Sequence, residues 1–179
     1  MTALETPRLR LTPMAAGHLE GLARMNADPE VMAHFPSAMS HAESAAQLDR
    51  IQSHWAGNGF GLFALTRKTD NAFLGFTGLT HPGYKTPFTP CVEIGWRLPR
   101  AAWGKGYAFE AAKACLDWGF GALALPEIVS FTSVENRRSI ALMQRLGMKR
   151  DPAEDFAHPM LAKTHRLSRH VLYRLQAGP

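Results

Sequence analysis

The sequence predicts an α/β fold, a mixed β-sheet with helices on both faces, built as one domain over residues 1–179. Three observations carry that expectation. Stretches in which apolar and polar residues alternate give way repeatedly to stretches with apolar residues at helical spacing. In the second half of the chain the two kinds take turns, the order that lays helices over a mixed sheet. The length of 179 residues, 46% hydrophobic and 20% charged, suffices for one sizeable core and is ordinary for a globular protein.

Taken in order, Arg8 to Met14 alternates basic and apolar residues as an edge strand does, and Pro13 sets its end. A short helix from about His18 to Asn26 follows, with Leu19, Leu22, Ala23 and Met25 apolar. Asp28-Pro29-Glu30 reads as an N-cap with Pro at the first helical position. Ser40, with Glu43 three residues later, forms a capping box for a second helix. That helix carries Ala45, Leu48, Ile51 and Trp55 and closes at Gly57-Asn58-Gly59. Phe60–Arg67 and Ala72–Thr80 read as the two strands of a hairpin, and residues 81–87 as a loop. Beyond the central segment, Ile128–Val134 reads as a strand and Ile140–Leu146 as a short helix ended by Gly147. Residues 151–165 form a polar loop, and Arg169–Leu175 makes a last strand.

Composition narrows the function classes. The net charge of +5 suits a mildly basic surface, a polyanionic cofactor or a nucleic acid. The basic residues are dispersed, however, and no Lys/Arg tract is interleaved with aromatics, which argues against nucleic acid. No apolar run approaches a membrane span, and the first residues lack the basic-then-apolar pattern of a secretory signal. Cys91 and Cys115 are the only cysteines, without a Cys-x-x-Cys pair, so reduced thiols and a cytoplasmic location are expected. The eight histidines show no zinc-type spacing, and no metal is expected.

The chain is organised around residues 90–120. Val92, Ile94, Trp96 and Leu98 alternate with Glu93, Gly95 and Arg97, a strand pattern that Pro99 ends. Trp103-Gly104-Lys105-Gly106 then forms a Gly-rich turn. From Ala108 the residues Ala108, Ala111, Ala112, Cys115, Leu116 and Gly119 share one small helix face. Strand, Gly-rich loop and helix suit a bound phosphate, because a helix N-terminus carries unpaired N–H groups and the positive end of the macrodipole. A loop of this kind also occurs simply to turn the chain. The Walker pattern is absent, and so is Gly-x-Gly-x-x-Gly, since Phe109 stands where the third glycine would be.

Trp103-Gly104-Lys105-Gly106-Tyr107-Ala108 resembles the pyrophosphate loop of GNAT-superfamily N-acetyltransferases, Gln/Arg-x-x-Gly-x-Gly/Ala, with Trp103 in the first position as in the RimJ/RimL-like branch. A second segment, Asn136-x-x-Ser139-x-x-Leu142 followed by Gly147-Met148, is similar to the family's Asn-x-x-Ala/Ser-x-x-Leu stretch. A third, Glu5 to Leu11, is similar to the opening of the RimJ/RimL-like branch. The element order also matches, so the resemblance covers nearly the whole chain and implies a largely antiparallel GNAT-like sheet.

What the resemblance implies is acetyl transfer from acetyl-CoA, a co-substrate, to the amine of a small molecule or a protein N-terminus. Trp103, Gly104, Lys105, Gly106, Tyr107 and Ala108 would hold the pyrophosphate, Trp96 and Leu98 would offer backbone groups to the pantetheine arm, and Asn136 and Ser139 would flank its far side. Capping alone accounts equally well for Ser139 and Asn136. A protonated amine cannot attack, so a base is needed; Glu93 is the candidate, with an inert polar residue as the other reading. Many members place a Tyr acid after the motif Leu, but Met143 stands there, which leaves Ser139 as the substitute, as a hydroxyl donor or through water. His81, Tyr84 and His158 lie in loops that could border the acceptor. No His/Asn arrangement activates either cysteine, so direct attack in a ternary complex is expected. A CoA-binding module without catalysis and a basic nucleic-acid-binding domain are the alternatives. The partner is thus an amine-bearing acceptor rather than a membrane, and the chain a monomer or homodimer.

Overall fold

Alternation in the sequence becomes a sheet in residues 2–178, the part of the chain that the computed structural model describes. Nine strands are found among the described residues: β1 (Leu4–Glu5), β2 (Leu9–Pro13), β3 (Leu62–Arg67), β4 (Phe73–Thr80), β5 (Glu93–Arg97), β6 (Glu127–Ser133), β7 (Lys149–Arg150), β8 (Phe156–Ala157) and β9 (Arg169–Gln176). They lie in the order β1-β2-β3-β4-β5-β6-β9-β7, with β8 also on β9. Every pairing is antiparallel except that of β5 with β6. The sheet is therefore mixed and largely antiparallel, as expected.

Among the described residues four α-helices cover it: α1 (Leu19–Ala27), α2 (His41–Asn58), α3 (Tyr107–Gly121) and α4 (Arg137–Arg145). The capping box forms, with the Glu43 N–H donating to Ser40 Oγ at 3.2 Å and the Ser40 N–H to Glu43 Oε2 at 2.7 Å. Gly59 ends α2 at φ 73°. Leu22 and Met25 of α1 and Leu48 and Ile51 of α2 pack with Ala64 and Phe76 on one face. On the other, Ala111, Ala112, Cys115 and Leu116 of α3 pack with Leu9, Leu11, Phe63, Leu79, Ile94 and Ile128. A Cβ on Gly119 would come within 2.8 Å of Leu79 and Ile128, so the small face does bring α3 close to the strands.

Three local expectations change. The Arg8–Met14 strand is not an edge, because Thr6 turns the chain and β1 pairs alongside it, Leu4 opposite Leu11. Asp28 caps as expected, its carboxylate accepting the Glu30 N–H at 2.9 Å, but only a single turn forms, closed by Met32 N–H to Asp28 O at 3.0 Å. Pro36 disfavours helical backbone at the residue before it, and the segment runs on as turns. The 151–165 loop contains β8, which pairs Phe156 with His170.

The central pairing positions everything that follows. β5 pairs with β4 at five positions and β6 with β9 at seven, yet β5 and β6 match only at Glu93 and Val129. There Val129 N–H donates to Val92 O at 2.9 Å and Ser130 Oγ to Ile94 O at 2.9 Å. Past Ile94 the two strands part, leaving a cleft in the middle of the sheet.

Candidate active site

Strand alternation decides which backbone groups face the cleft. The carbonyls of Val92 and Ile94 point toward β6, whereas that of Gly95 points toward β4 and accepts from Thr77 Oγ1 at 2.8 Å. The N–H and C=O of Trp96 therefore turn to the open edge of β5. Leu98 continues the strand, but its carbonyl already accepts from Trp103 Nε1 at 2.8 Å. The Leu98 carbonyl thus positions the Trp103 ring, and Leu98, like Trp96, lines the cavity beside it.

One cavity, about 510 Å³, opens on the α3 side of this edge. Gly104 (φ 71°) and Gly106 (φ 80°) take left-handed backbone conformations, and Gly106 is the N-cap of α3. Among the described residues no backbone carbonyl accepts from the N–H groups of residues 104–109. A Cβ on Gly104 would touch nothing within 4 Å, so the loop presents bare amides to open space. Arg8 straps the loop from behind: its Nη1 donates to Lys105 O at 2.9 Å and its Nε to Glu110 Oε2 at 2.6 Å. Thr6 Oγ1 donates to the same Glu110 at 2.6 Å. Holding the carbonyl back leaves the amides forward, a cradle that fits a diphosphate.

Trp103, Tyr107 and Ala108 line this cavity, with Asn136 and Ser139 opposite; Lys105 does not line it, and its carbonyl is turned to Arg8. Arg138 lies over the Trp103 ring at 4.4 Å and Arg145 over Phe109 at 4.7 Å, so two further cations border it. Asn136, not Ser139, is the N-cap of α4: its Oδ1 accepts the Ser139 N–H at 3.3 Å, and its amide donates to Thr132 Oγ1 at 2.9 Å. Ser139 sits in the first turn, where its Oγ accepts from Trp96 Nε1 at 3.2 Å. Met143 is fully buried in the core, away from both cavities.

A second cavity, about 370 Å³, holds Glu93, Tyr84 and His158 together. Its wall is aromatic: Tyr84 and His158 rings lie 4.6 Å apart and His158 and His170 4.9 Å, while Phe131, also in the wall, is backed by Phe156 at 5.6 Å. Burial raises the Glu93 carboxyl to about 8 and drops His170 to about 4. It also lifts the Tyr84 phenol and lowers His158, so this wall stays uncharged near neutrality. His81 is not in either cavity: it meets Phe60 edge to face at 5.2 Å, and its Nδ1 meets the Cys91 carbonyl at 3.0 Å. Burial pushes the Cys91 thiol up to about 11 and raises Cys115 as well, so neither is poised as a nucleophile.

The two cavities share His34, Phe35, Trp96, Arg97 and Ser139. Three of these escaped the sequence reading. His34 and Phe35 come from the segment after α1, whose turns only the folded chain brings to the cleft. Arg97 was one of the polar positions of an alternating strand, and nothing in that pattern distinguishes a solvent-facing side chain from one covered by a second layer. His170, in the last strand, stands in His170-Val171-Leu172-Tyr173, a stretch that resembles bacterial members of the RimJ/RimL-like branch, but that resemblance assigned it no role.

A sheet split at its centre, with an anion cradle on one side and a separate cavity meeting it on the other, is the arrangement of a group-transfer enzyme. The chain belongs to the GNAT acetyltransferase family, whose domain model matches residues 8–149. YkkB of Bacillus subtilis is 31% identical over 150 residues, covering 82% of this chain and 85% of that protein. The FsC-acetyl coenzyme A-N(2)-transacetylase of Aspergillus fumigatus is 31% identical over 156 residues, covering 81% of this chain and 64% of the longer relative, just under two thirds of its length. Among solved structures, an acetyltransferase from Agrobacterium tumefaciens superposes with a TM-score of 0.79 at 27% identity, over 98% of this chain and 95% of that one. The spermidine N-acetyltransferase of Vibrio cholerae, solved with CoA and spermine, shares the fold with a TM-score of 0.74 at 18% identity, over 94% and 95% of the two chains.

Proposed function

We propose that the chain transfers the acetyl group of acetyl-CoA to a primary amine by direct attack within a ternary complex. The observation that carries this reading is the meeting of the two cavities at Trp96 and Ser139. The amides of residues 104–108 bind the diphosphate, and Arg138 and Arg145 add positive charge beside it. The Trp96 N–H, turned to the open strand edge, donates to the oxyanion that develops on the acetyl carbonyl. Glu93 takes the proton of the attacking amine, directly or through water, from within the acceptor cavity. Ser139 accepts from the Trp96 indole, so its own hydroxyl is free to donate a hydrogen bond to the departing thiolate, which takes its proton from solvent through water held at that hydroxyl.

Names of relatives support an amine acceptor: one is an N(2)-transacetylase, and a structural neighbour acetylates spermidine. Structural neighbours from Vibrio, at 18% and 19% identity, are named as ribosomal-protein acetyltransferases and share the fold. They fit the RimJ/RimL-like features of the sequence and a cytoplasmic acceptor, and no helix among the described residues is long and apolar enough to cross a membrane. Thiol release from acetyl-CoA over a panel of amines, alongside CoA calorimetry, tests the reading. Turnover on at least one amine is expected, with Gly104→Val and Gly106→Val each weakening CoA by more than about tenfold by closing the cradle and straining left-handed backbone. CoA binding with no turnover on any amine would instead make this a binding module, the reading that the buried Met143 favours.

A further inference from the structure

Arg97 presents a charge without a counter-charge. It is 9% exposed, on the face of β5 that α1 and α2 cover. Its Nη1 donates to Asn26 Oδ1 at 2.6 Å, a neutral partner whose own amide is engaged by Ser44 and Gln47. The guanidinium lies 4.0 Å over the Phe35 ring and 5.4 Å from Phe76, while Nε is buried with no partner at all. None of the ion pairs among the described residues includes it. By contrast, Arg174, also well covered, has both Glu127 and Glu154. Buried charges are ordinarily paired, and a cation left alone is costly to the fold. Burial holds its pKa down to about 10, so it remains charged at neutral pH.

We propose that Arg97 anchors a carboxylate carried by the acceptor, so that the enzyme selects amines bearing that group. This inference rests on the acetyl-transfer reading above. The diphosphate of the cofactor has its own seat at the Gly-rich loop with Arg138 and Arg145, whereas Arg97 also lines the acceptor cavity. Glu93 and Arg97 share one face of β5, four residues and about 13 Å of strand apart. Between them stands Gly95, where even a Cβ would meet nothing within 4 Å, so the floor joining the two ends is open. An amine at the Glu93 end and a carboxylate at the Arg97 end fit this polarity, and the planar fork of a guanidinium suits a carboxylate. The same charge repels acceptors that are polycations.

The test compares acceptors that carry the amine and the carboxylate at opposite ends, a series of ω-amino acids of increasing length and short peptides with a free α-amine, with their carboxamides, each rate expressed per neutral amine. The wild type should favour the acid by at least about tenfold in kcat/KM, and Arg97→Gln should bring that ratio to within about threefold of unity, with Arg97→Lys between the two. Melting curves and CoA calorimetry establish that the variants fold. Independently of turnover, the Arg97 Nε–H resonance of the CoA-bound wild type should shift on adding the amino acid but not the amide. Equal rates on both members, or a resonance unmoved by either, overturns the proposal. A resonance that responds only to the acid, in a protein that acetylates no amine of the panel, supports the carboxylate site while removing the acetyl-transfer reading; the equal rates that overturn the proposal are those measured in a protein that turns over.

Discussion

Glu93 opens β5 and lines the second cavity, the one proposed to take the acceptor, and burial raises its pKa to about 8. At neutral pH the group is largely protonated, and it becomes a base only as pH climbs. The kcat/KM should therefore rise with unit slope to a plateau above about pH 8. Glu93→Gln should abolish that limb and lower the plateau by roughly 10²-fold. The acceptor ammonium titrates too, so two amines of different basicity are compared: the Glu93 limb stays in place while the amine limb moves. A single limb that follows the amine assigns the base elsewhere. Stability carries a second signature. Because the folded carboxyl holds its proton from the ordinary 4.5 up to about 8, the native state binds more protons across that window, and stability falls as pH rises through it. Urea midpoints taken across this window should decline in the wild type and decline less in Glu93→Gln. Glu93 was legible in the sequence as a polar residue on the central strand, and Met143 as a gap where an acid was wanted. Arg97 was not, because its burial depends on α1 and the Phe35 segment, which no local pattern ties to β5.

The Gly-rich loop and α3 were the most legible elements, since glycines, small helix face and length all lie within one stretch. What the stretch does not contain is its support. Arg8 reaches the Lys105 carbonyl across 97 residues of sequence, and Glu110 gathers Thr6, the Arg8 backbone and the Arg8 side chain. Read alone, Thr6-Pro7-Arg8 is only the start of a strand. Folded, it fixes which way the loop amides point. Arg8→Gln should accordingly weaken CoA binding by about tenfold, roughly 1.4 kcal/mol. The melting temperature should barely move, because the Arg8 side chain is 47% exposed and such pairs contribute little to stability. Calorimetry and a thermal melt on the same variant separate the two: a large loss of stability with unchanged affinity would show a structural tie and no more. The Asp28 turn shows the opposite kind of legibility, a correct cap on a helix that Pro36 does not let grow.

At the scale of the molecule, the sheet is two half-sheets joined at one paired position, Glu93 with Val129, and one side-chain bond from Ser130. Alternation and helix order made both halves readable, but a splay is the absence of pairing and leaves no mark on either strand. It also makes the middle of the sheet the weakest line of a fold otherwise laddered strand to strand. A ligand seated there should act as a cross-brace. CoA at 100 times its dissociation constant stabilises by about 2.7 kcal/mol. For a domain of this size that is a rise in melting temperature of roughly 5–11 °C. Protection from hydrogen exchange should grow on both sides of the gap, at the Trp96 amide on β5 and along β6 and β9, as well as at residues 104–109. Protection confined to the loop would place the cofactor on the surface of α3 alone. In that case the cleft between β5 and β6 would be a feature of the fold rather than the seat of the thioester, and Trp96 would lose its place beside the reacting carbonyl.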